Sequence, residues 1–236
     1  MEILNNDHEF DYILENYKEI CYNVNNAKEK YGSGDVSIMA VTKTVPYEKI
    51  NFAIQNGVTL LGENRVQEYL SKKDQYDKAA EVQFIGHLQT NKVKYIADSV
   101  SMIQSVDSLK LASEINKQSA KHNRIMDILI EINIGSEITK SGIDQSALSE
   151  LVKEISALEN IKIRGLMAIP PIGAGEDVFE RMHELFDEVR ETAPKNVSMD
   201  ILSMGMSGDY EVAIKHGSNL VRIGTKLFGA RNYLKG

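Results

Sequence analysis

The 236-residue sequence lacks several features that mark whole classes of proteins. Its single cysteine, Cys21, excludes an internal disulfide framework and any metal site built from several cysteines. No run approaches the roughly 18 uncharged apolar residues that a membrane-spanning helix needs, so we expect no membrane association. The first twenty residues are acidic and contain no apolar core, so we see no secretory signal and expect a cytoplasmic protein.

An excess of basic residues is also missing. The chain has 27 Lys and Arg against 34 Asp and Glu, a net charge of −7, whereas nucleic-acid binding depends on clustered cations. We therefore expect no nucleic-acid partner, and the acidic surface is compatible with the monomer that we expect. Walker A, H-E-x-x-H and G-x-S-x-G motifs are absent too. The 42% hydrophobic content is that of an ordinary globular protein.

Short apolar runs rich in β-branched residues alternate with longer helical patterns along the chain. Eight runs are strand candidates: Ser37–Val41, Thr59–Gly62, Val82–His87, Ser101–Val106, Asp127–Asn133, Ile161–Ile169, Asp200–Met206 and Leu220–Gly229. Consecutive runs start 19 to 39 residues apart, so each gap has room for one crossover helix.

Helical periodicity fills several of these gaps and precedes the first strand. The helical segments are Asp7–Tyr31, Tyr47–Asn56, Ser146–Leu158, Asp177–Thr192 and Asp209–His216. Alternation of strands and helices implies a parallel sheet. We predict an α/β protein with one domain over residues 1–236, a (β/α)₈ TIM barrel with an extra N-terminal helix. A doubly wound open sheet is the alternative, which periodicity alone does not separate from a barrel.

Functional residues of such barrels lie at the C-terminal ends of the strands. Lys43 follows the first strand after Thr42, and an amine that is desolvated at such a strand end would have a lowered pKa and could attack an aldehyde to form a Schiff base. The alternative is a solvated lysine at the barrel mouth. Asn64 and His87 follow the next two strands, each shortly after a glycine. Their alternatives are a helix cap for Asn64 and packing at the barrel rim for His87.

Small and hydroxyl residues follow the last two strands. Ser207-Gly208-Asp209 follows the seventh strand, and Gly224-Thr225 comes directly after Arg222-Ile223 of the eighth. The loops after strands seven and eight are the recurrent phosphate site of barrel folds, although Ser207-Gly208-Asp209 also suits a plain helix cap. A reactive lysine together with a phosphate site predicts a phosphorylated aldehyde as ligand. Pyridoxal phosphate fits this description, and so does a phosphosugar in a Schiff-base aldolase.

Six stretches in order resemble the pyridoxal phosphate homeostasis proteins, which share the fold of the N-terminal barrel of alanine racemase. They are AVTKTVPYEKI, LLGENRVQEYLSK, FIGHLQTNK, IEINIGSEITKSGID, IRGLMAIPP and DILSMGMSGDYEVAIKHGSNLVRIGTKLFGAR. The resemblance implies pyridoxal 5'-phosphate as the cofactor. It implies that Lys43 forms the Schiff base with this cofactor and that Ser207, Gly224 and Thr225 contact its phosphate.

The same resemblance assigns further cofactor contacts. Arg222 resembles the arginine that faces the pyridine nitrogen, and Asn64 resembles a polar neighbour of the cofactor. His87 and Ser105, at the ends of the third and fourth strands, would line the pocket. The sequence departs from the family pattern at Gln83, where an aromatic residue is frequent, and at Thr42, where serine is frequent.

The resemblance implies a carrier that buffers pyridoxal phosphate (PLP) and maintains vitamin B6 and amino-acid balance. PLP-dependent apoenzymes would accept the cofactor from it. A cationic Arg222 disfavours protonation of the pyridine ring, which makes the ring a weak electron sink. The sequence given ends at Gly236, seven residues after the predicted eighth strand, and we therefore expect no counterpart of the second domain of racemases. We therefore expect no robust catalysis. The alternatives are a low-activity amino-acid racemase using His87 and a Schiff-base aldolase.

Overall fold

A computed structural model describes residues 8–135, 137, 141–194 and 197–230, and its centre is a closed barrel of parallel strands. The strands are β1 Ser37–Val41, β2 Leu60–Glu63, β3 Glu81–Phe84, β4 Met102–Val106, β5 Met126–Ile132, β6 Ile161–Ala168, β7 Ile201–Ser203 and β8 Leu220–Ile223. They pair in sequence order, and β8 closes the barrel against β1. The predicted TIM barrel is confirmed, and the open sheet is excluded.

Helices surround this barrel. They are α1 Asp11–Tyr31, α2 Tyr47–Gln55, α3 Val66–Lys72, α4 Leu109–Lys121, α5 Leu148–Ile155, α6 Glu176–Thr192, α7 Tyr210–Lys215 and α8 Thr225–Phe228. Short 3₁₀ helices cover Lys73–Gln75, Thr90–Tyr95 and Gln145–Ala147. The gap between β3 and β4 thus holds only a 3₁₀ helix, where we expected room for a full crossover helix. Among the described residues, none of the helices combines the length and apolarity that crossing a bilayer requires.

The third, seventh and eighth predicted strands extend three or more residues beyond the observed C-terminal ends; the third was predicted to run to His87, but β3 ends at Phe84. The eighth strand was predicted to run to Gly229, but β8 ends at Ile223 because the amides of Leu227 and Phe228 turn back to the carbonyl of Gly224 and form α8. The seventh ends at Ser203, and the chain then turns at Gly205 with φ +91°. A Cβ at Gly205 would lie 2.6 Å from the Cβ of Ala213, so glycine is needed there.

The main hydrophobic core lies between the outer face of the barrel and the helices. Two smaller apolar clusters have Met39, Ile85 and Leu220 in one, and Met102, Leu129 and Met167 in the other. The extra N-terminal helix α1 packs against α2, α7 and α8. Its Asn16 donates from Nδ2 to the carbonyl of Leu227 at 3.0 Å. The predicted N-terminal helix is therefore present, and it braces the segment that follows β8.

Candidate functional site

A cavity of about 310 Å³ lies at the C-terminal ends of β1 and β8, and Lys43 lines it. Gly224 and Thr225 line the same cavity, so the structure brings together three of the residues singled out in the sequence. Lys43 is half-buried, Gly224 is half-buried and Thr225 is exposed. The cavity volume is at the lower end of the roughly 300–1,000 Å³ that is usual for small-molecule sites.

The turn after Lys43 is held in an unusual backbone conformation. Thr44 has φ +63°, which costs free energy for a β-branched residue. The Thr44 amide donates to Glu68 Oε1 at 2.5 Å, and Lys72 Nζ donates to the carbonyls of Thr42 and Val45, both at 3.2 Å. Contacts from α3 therefore fix the backbone on both sides of Lys43.

Buried charges lie directly behind this turn. Glu63 is fully buried at the end of β2 and accepts from Thr42 Oγ1 at 2.7 Å and from the Tyr76 hydroxyl at 2.5 Å. Its carboxylate is 3.6 Å from Lys72 Nζ. Burial, and then the negative charge of Glu63, raises the pKa of the Tyr76 hydroxyl. We call Thr42, Glu63, Glu68, Lys72 and Tyr76 the outer network, since it lies between the strands and α3.

Arg222, in β8, is a buried cation with only 3% of its surface exposed. Its Nη1 donates to Ser203 Oγ at 2.6 Å, and its Nη2 donates to the carbonyl of Ala168 at 2.7 Å. Burial lowers the pKa of Arg222 to about 10, although the charges of Glu131 and Asp209 oppose this shift. The guanidinium is therefore protonated at neutral pH and is held by neutral oxygen atoms.

The loops after β7 and β8 are joined through Ser207. Its Oγ accepts from the amide of Lys226 at 3.2 Å, which ties the seventh loop to the first turn of α8. Asp209 accepts within the same loop from the amide of Met206 at 2.6 Å. The predicted pairing of these two loops is present, whereas Asp209, the N-cap residue of α7, makes no side-chain capping hydrogen bond to that helix.

Asn64, His87 and Ser105 lie at the ends of β2, β3 and β4. A Cβ on Gly86 would lie 2.1 Å from the carbonyl oxygen of Asn64, so these two strand ends pack closely. Ser105 is fully buried and donates from Oγ to the carbonyl of Gly86 at 2.6 Å. The His87 side chain is 64% exposed, and its Nδ1 is 3.8 Å from Asp107 Oδ2. In the part of the chain that the structure describes, the cavity beside Lys43 does not include these three residues, Ser207 or Arg222.

Sequence reasoning overlooked Glu131, a buried carboxylate within the apolar strand β5. Its Oε1 accepts from Ser141 Oγ at 2.7 Å, while no donor among the described residues reaches Oε2. Burial raises the pKa of Glu131, and Ser141 and Arg222 act against this shift. The signal was a lone charge in the run Ile128-Leu129-Ile130-Glu131-Ile132, which alternation places among side chains of one barrel face.

Comparison with known proteins places the chain in a family. Residues 16–232 match the family described as alanine racemase, N-terminal domain. A pyridoxal phosphate homeostasis protein of Aquifex aeolicus is 44% identical over 226 residues, which cover 93% of this chain and 98% of the relative. This chain belongs to that family. The resemblance inferred from the six sequence stretches is confirmed.

Solved structures agree with this membership. PipY of Synechococcus elongatus, determined with PLP bound, superposes with a TM-score of 0.82 at 28% identity over 92% of this chain and all of PipY. Alanine racemase of Clostridium difficile superposes with a TM-score of 0.70 at 19% identity, which shows the shared fold alone. This chain spans 56% of that racemase.

The chemistry of the donor set suits pyridoxal phosphate. The cavity has a primary amine on one wall and a glycine backbone and a threonine hydroxyl on another. Arg222, in β8 and two positions before Gly224, supplies a permanent positive charge in the barrel interior. An amine reacts with an aldehyde, and hydroxyls and backbone amides bind a phosphate. A guanidinium donates to a ring nitrogen that accepts a hydrogen bond.

Proposed function

We propose that this protein binds pyridoxal phosphate at the C-terminal mouth of its barrel and serves as a carrier of the cofactor. The role is to buffer the cofactor and so maintain vitamin B6 and amino-acid balance. The observation that carries the proposal is the convergence of Lys43, Gly224 and Thr225 on one cavity between β1 and β8. The pyridoxal phosphate homeostasis proteins among its relatives and the PLP-bound PipY structure support it.

Each residue has a distinct part in this proposal. Lys43 would hold the aldehyde, and the turn locked by the outer network keeps its amine at the cavity wall. Ser207, Gly224 and Thr225 would hold the phosphate on the joined loops after β7 and β8. When bound, the cofactor supplies an electrophilic carbonyl carbon and an electron-accepting ring. Asn64, His87 and Ser105 would line the mouth on the side of β2, β3 and β4.

Arg222 favours carriage over catalysis. A guanidinium beside a pyridine nitrogen disfavours the protonated ring, because like charges repel, and an unprotonated ring stabilises carbanions poorly. His87, the candidate for a second proton-transfer group, is 64% exposed at the rim and therefore faces solvent. We propose that racemisation by this protein is weak or absent, and that PLP-dependent apoenzymes accept the cofactor from a monomeric, cytoplasmic carrier.

The purified protein incubated with PLP tests this proposal. We expect a visible absorbance band, and borohydride reduction should leave a pyridoxyl group on Lys43 that peptide mass spectrometry locates. Lys43→Met should abolish the band and the label. Lys49→Met is the matched control, since Lys49 lines the same cavity and its Nζ donates to the Tyr12 hydroxyl at 2.9 Å. A wild-type protein that stays colourless and unlabelled would refute the proposal.

Two measurements separate the carrier from an enzyme. Transfer of the loaded cofactor to a PLP-dependent apoenzyme should restore activity to that apoenzyme. Deuterium exchange at the α-carbon of amino acids should stay near background. Rapid exchange that His87→Ala abolishes would establish a racemase instead, and competition by sugar phosphates for Lys43 would indicate an aldolase.

A further inference from the structure

A line of buried polar side chains crosses the inside of the barrel beneath the site. Arg222 Nη1 donates to Ser203 Oγ at 2.6 Å, Ser203 Oγ donates to Gln104 Oε1 at 2.8 Å, and Gln104 Nε2 donates to Gln83 Oε1 at 2.6 Å. These four residues belong to β8, β7, β4 and β3. Since β4 and β7 are not neighbours, the contact between them spans the barrel interior. We call these residues the interior chain.

The direction of the interior chain is dictated by Arg222. A guanidinium only donates hydrogen bonds, so the Ser203 oxygen accepts and its own proton points to Gln104 Oε1. The amide nitrogen of Gln104 then faces Gln83 and must find an acceptor there. Every bond therefore points away from the cation. Hydrogen bonds aligned in one direction polarise one another, so the bond that Ser203 Oγ accepts from Arg222 Nη1 becomes stronger.

The interior chain lies in a place where polar groups are costly. Gln104 and Ser203 are completely buried, and Gln83 is 6% exposed. Apolar side chains of the two interior clusters, among them Met39 and Met102, surround this part of the barrel. A buried amide without a hydrogen-bond partner is destabilising, so each residue of the interior chain requires the next one as its partner.

Gln83 ends the interior chain far from the cofactor cavity. It lines a separate cavity together with Ser37 and Thr59, residues at the N-terminal ends of β1 and β2. Among the described residues, the hydrogen bonds from Gln83 toward the site run through Gln104 and Ser203, and the amide oxygen of Gln83 is the last acceptor in this series.

We infer that Gln83 is a positioning residue for Arg222: through Gln104 and Ser203 it fixes the orientation of the guanidinium beneath the cofactor site. This inference deepens the proposed function and rests on it. Loss of the Gln83 acceptor leaves Gln104 free to rotate its amide, and the Ser203 hydroxyl then loses its fixed acceptor. The guanidinium keeps its charge and its bond to the carbonyl of Ala168, but the bond from Nη1 to Ser203 is no longer held in one direction.

The first test uses the protein without ligand. Nitrogen-15 NMR of the Arg222 guanidinium, assigned with Arg222→Lys, reports hindered rotation and slow exchange of its hydrogen-bonded protons. We expect Gln83→Met to speed this exchange about fivefold or more, the equivalent of one lost hydrogen bond. Gln83→Glu retains an acceptor oxygen and should keep the slow exchange.

Gln118→Met is the matched control. Gln118 is also 6% exposed, and its Nε2 donates to Glu114 Oε1 at 2.5 Å on α4, outside the barrel. It should leave the Arg222 signals unchanged. If Gln83→Met does not fold, Gln104→Met removes the neighbouring link and makes the same comparison. Arg222 signals that stay unchanged in the folded variant, or that Gln118→Met alters equally, would overturn the inference.

The second test uses the protein loaded with pyridoxal phosphate. Gln83→Met should still be labelled at Lys43, but its affinity should fall about fivefold to tenfold, and the pH midpoint of its visible absorbance should shift. Gln83→Glu should behave like the wild type. A wild-type protein that takes no label refutes the proposed function, whereas wild-type affinity and midpoint in a labelled Gln83→Met refute only the role of Gln83.

Discussion

The outer network and the interior chain flank the same site but hold their charges in opposite ways. In the outer network, Lys72 is 2.8 Å from Glu68 and 3.6 Å from Glu63, so one ammonium group pairs with two carboxyl groups behind the turn of Lys43. In the interior chain, Arg222 donates to a hydroxyl and a carbonyl. Among the described residues, its charge is thus oriented by a hydroxyl and a carbonyl oxygen. The outer network fixes the backbone around Lys43, whereas the interior chain orients the positively charged guanidinium of Arg222.

The largest expected effect breaks the outer network. Lys72→Met removes the cation beside the buried Glu63 and the donor to the carbonyls of Thr42 and Val45. The free energy of unfolding in urea should fall by about 3–5 kcal/mol, because a buried charge is left unpaired. Lys28→Met, which breaks the surface pair with Asp35, should cost less than about 1 kcal/mol. Equal losses would contradict the importance of burial.

The next effect concerns the turn that supports Arg222 from β7. The carbonyl of Gly205 accepts from the Arg222 amide at 2.9 Å, and an added Cβ would collide with Ala213. Gly205→Ala should destabilise the protein by about 1–3 kcal/mol and weaken cofactor binding. Gly208→Ala, in the same loop, has open space around its Cβ position and should be nearly neutral. Thermal unfolding of both variants makes the comparison, and a harmless Gly205→Ala would disprove it.

The pH dependence of the free energy of unfolding tests the electrostatic environment of Glu131, to which the charge of Arg222 contributes. The pKa of Glu131 is raised from 4.5, mainly by burial, so the folded state holds its proton more tightly than the unfolded chain. Stability is therefore retained below pH about 4.5 and is lost as pH rises through the folded-state pKa. Urea unfolding from pH 4 to 8 should show that Glu131→Gln removes this loss of stability.

The pKa of Glu176 is shifted in the direction opposite to that of Glu131. Hydrogen bonds from Lys215 and His216 lower its pKa, so its contribution is present at neutral pH and disappears as pH falls below about 4.5. In a plot of the free energy of unfolding against pH, Glu176→Gln should therefore alter the acidic end and leave the slope near neutral pH unchanged. A Glu131→Gln profile parallel to the wild type would show that Glu131 does not titrate abnormally.

The smallest expected effect sharpens the description of the outer network. Thr42→Ser keeps the hydroxyl that donates to Glu63 Oε1 and removes one methyl group, so the loss of stability should be about 1 kcal/mol or less. Thr42→Val keeps the shape but removes the donor, and it should cost about 1–3 kcal/mol. Chemical denaturation of the two variants gives the order, and the reverse order would mean that packing outweighs the hydrogen bond.

Much of the fold followed from local pattern. Eight apolar runs with helical spacing between them predicted the barrel, because this alternation leaves few other ways to bury both faces of the strands. Strand ends were harder. The Leu220–Gly229 run is apolar enough for a longer strand, but Gly224 turns the chain into α8 through amides that bond back to its carbonyl. The 3₁₀ helix Thr90–Tyr95 likewise lacked a sequence signal distinct from that of an α-helix.

At the site, the sequence by itself determined which chemical groups follow the strands. Lys43, Ser207, Gly224 and Thr225 could be found there because the barrel topology orders strand ends. Only the tertiary structure decided which partners these groups have. Gln104 and Ser203 are 99 positions apart and meet because the barrel closes. Contacts between residues so distant in sequence depend on strand register and packing, which no local pattern of residues encodes.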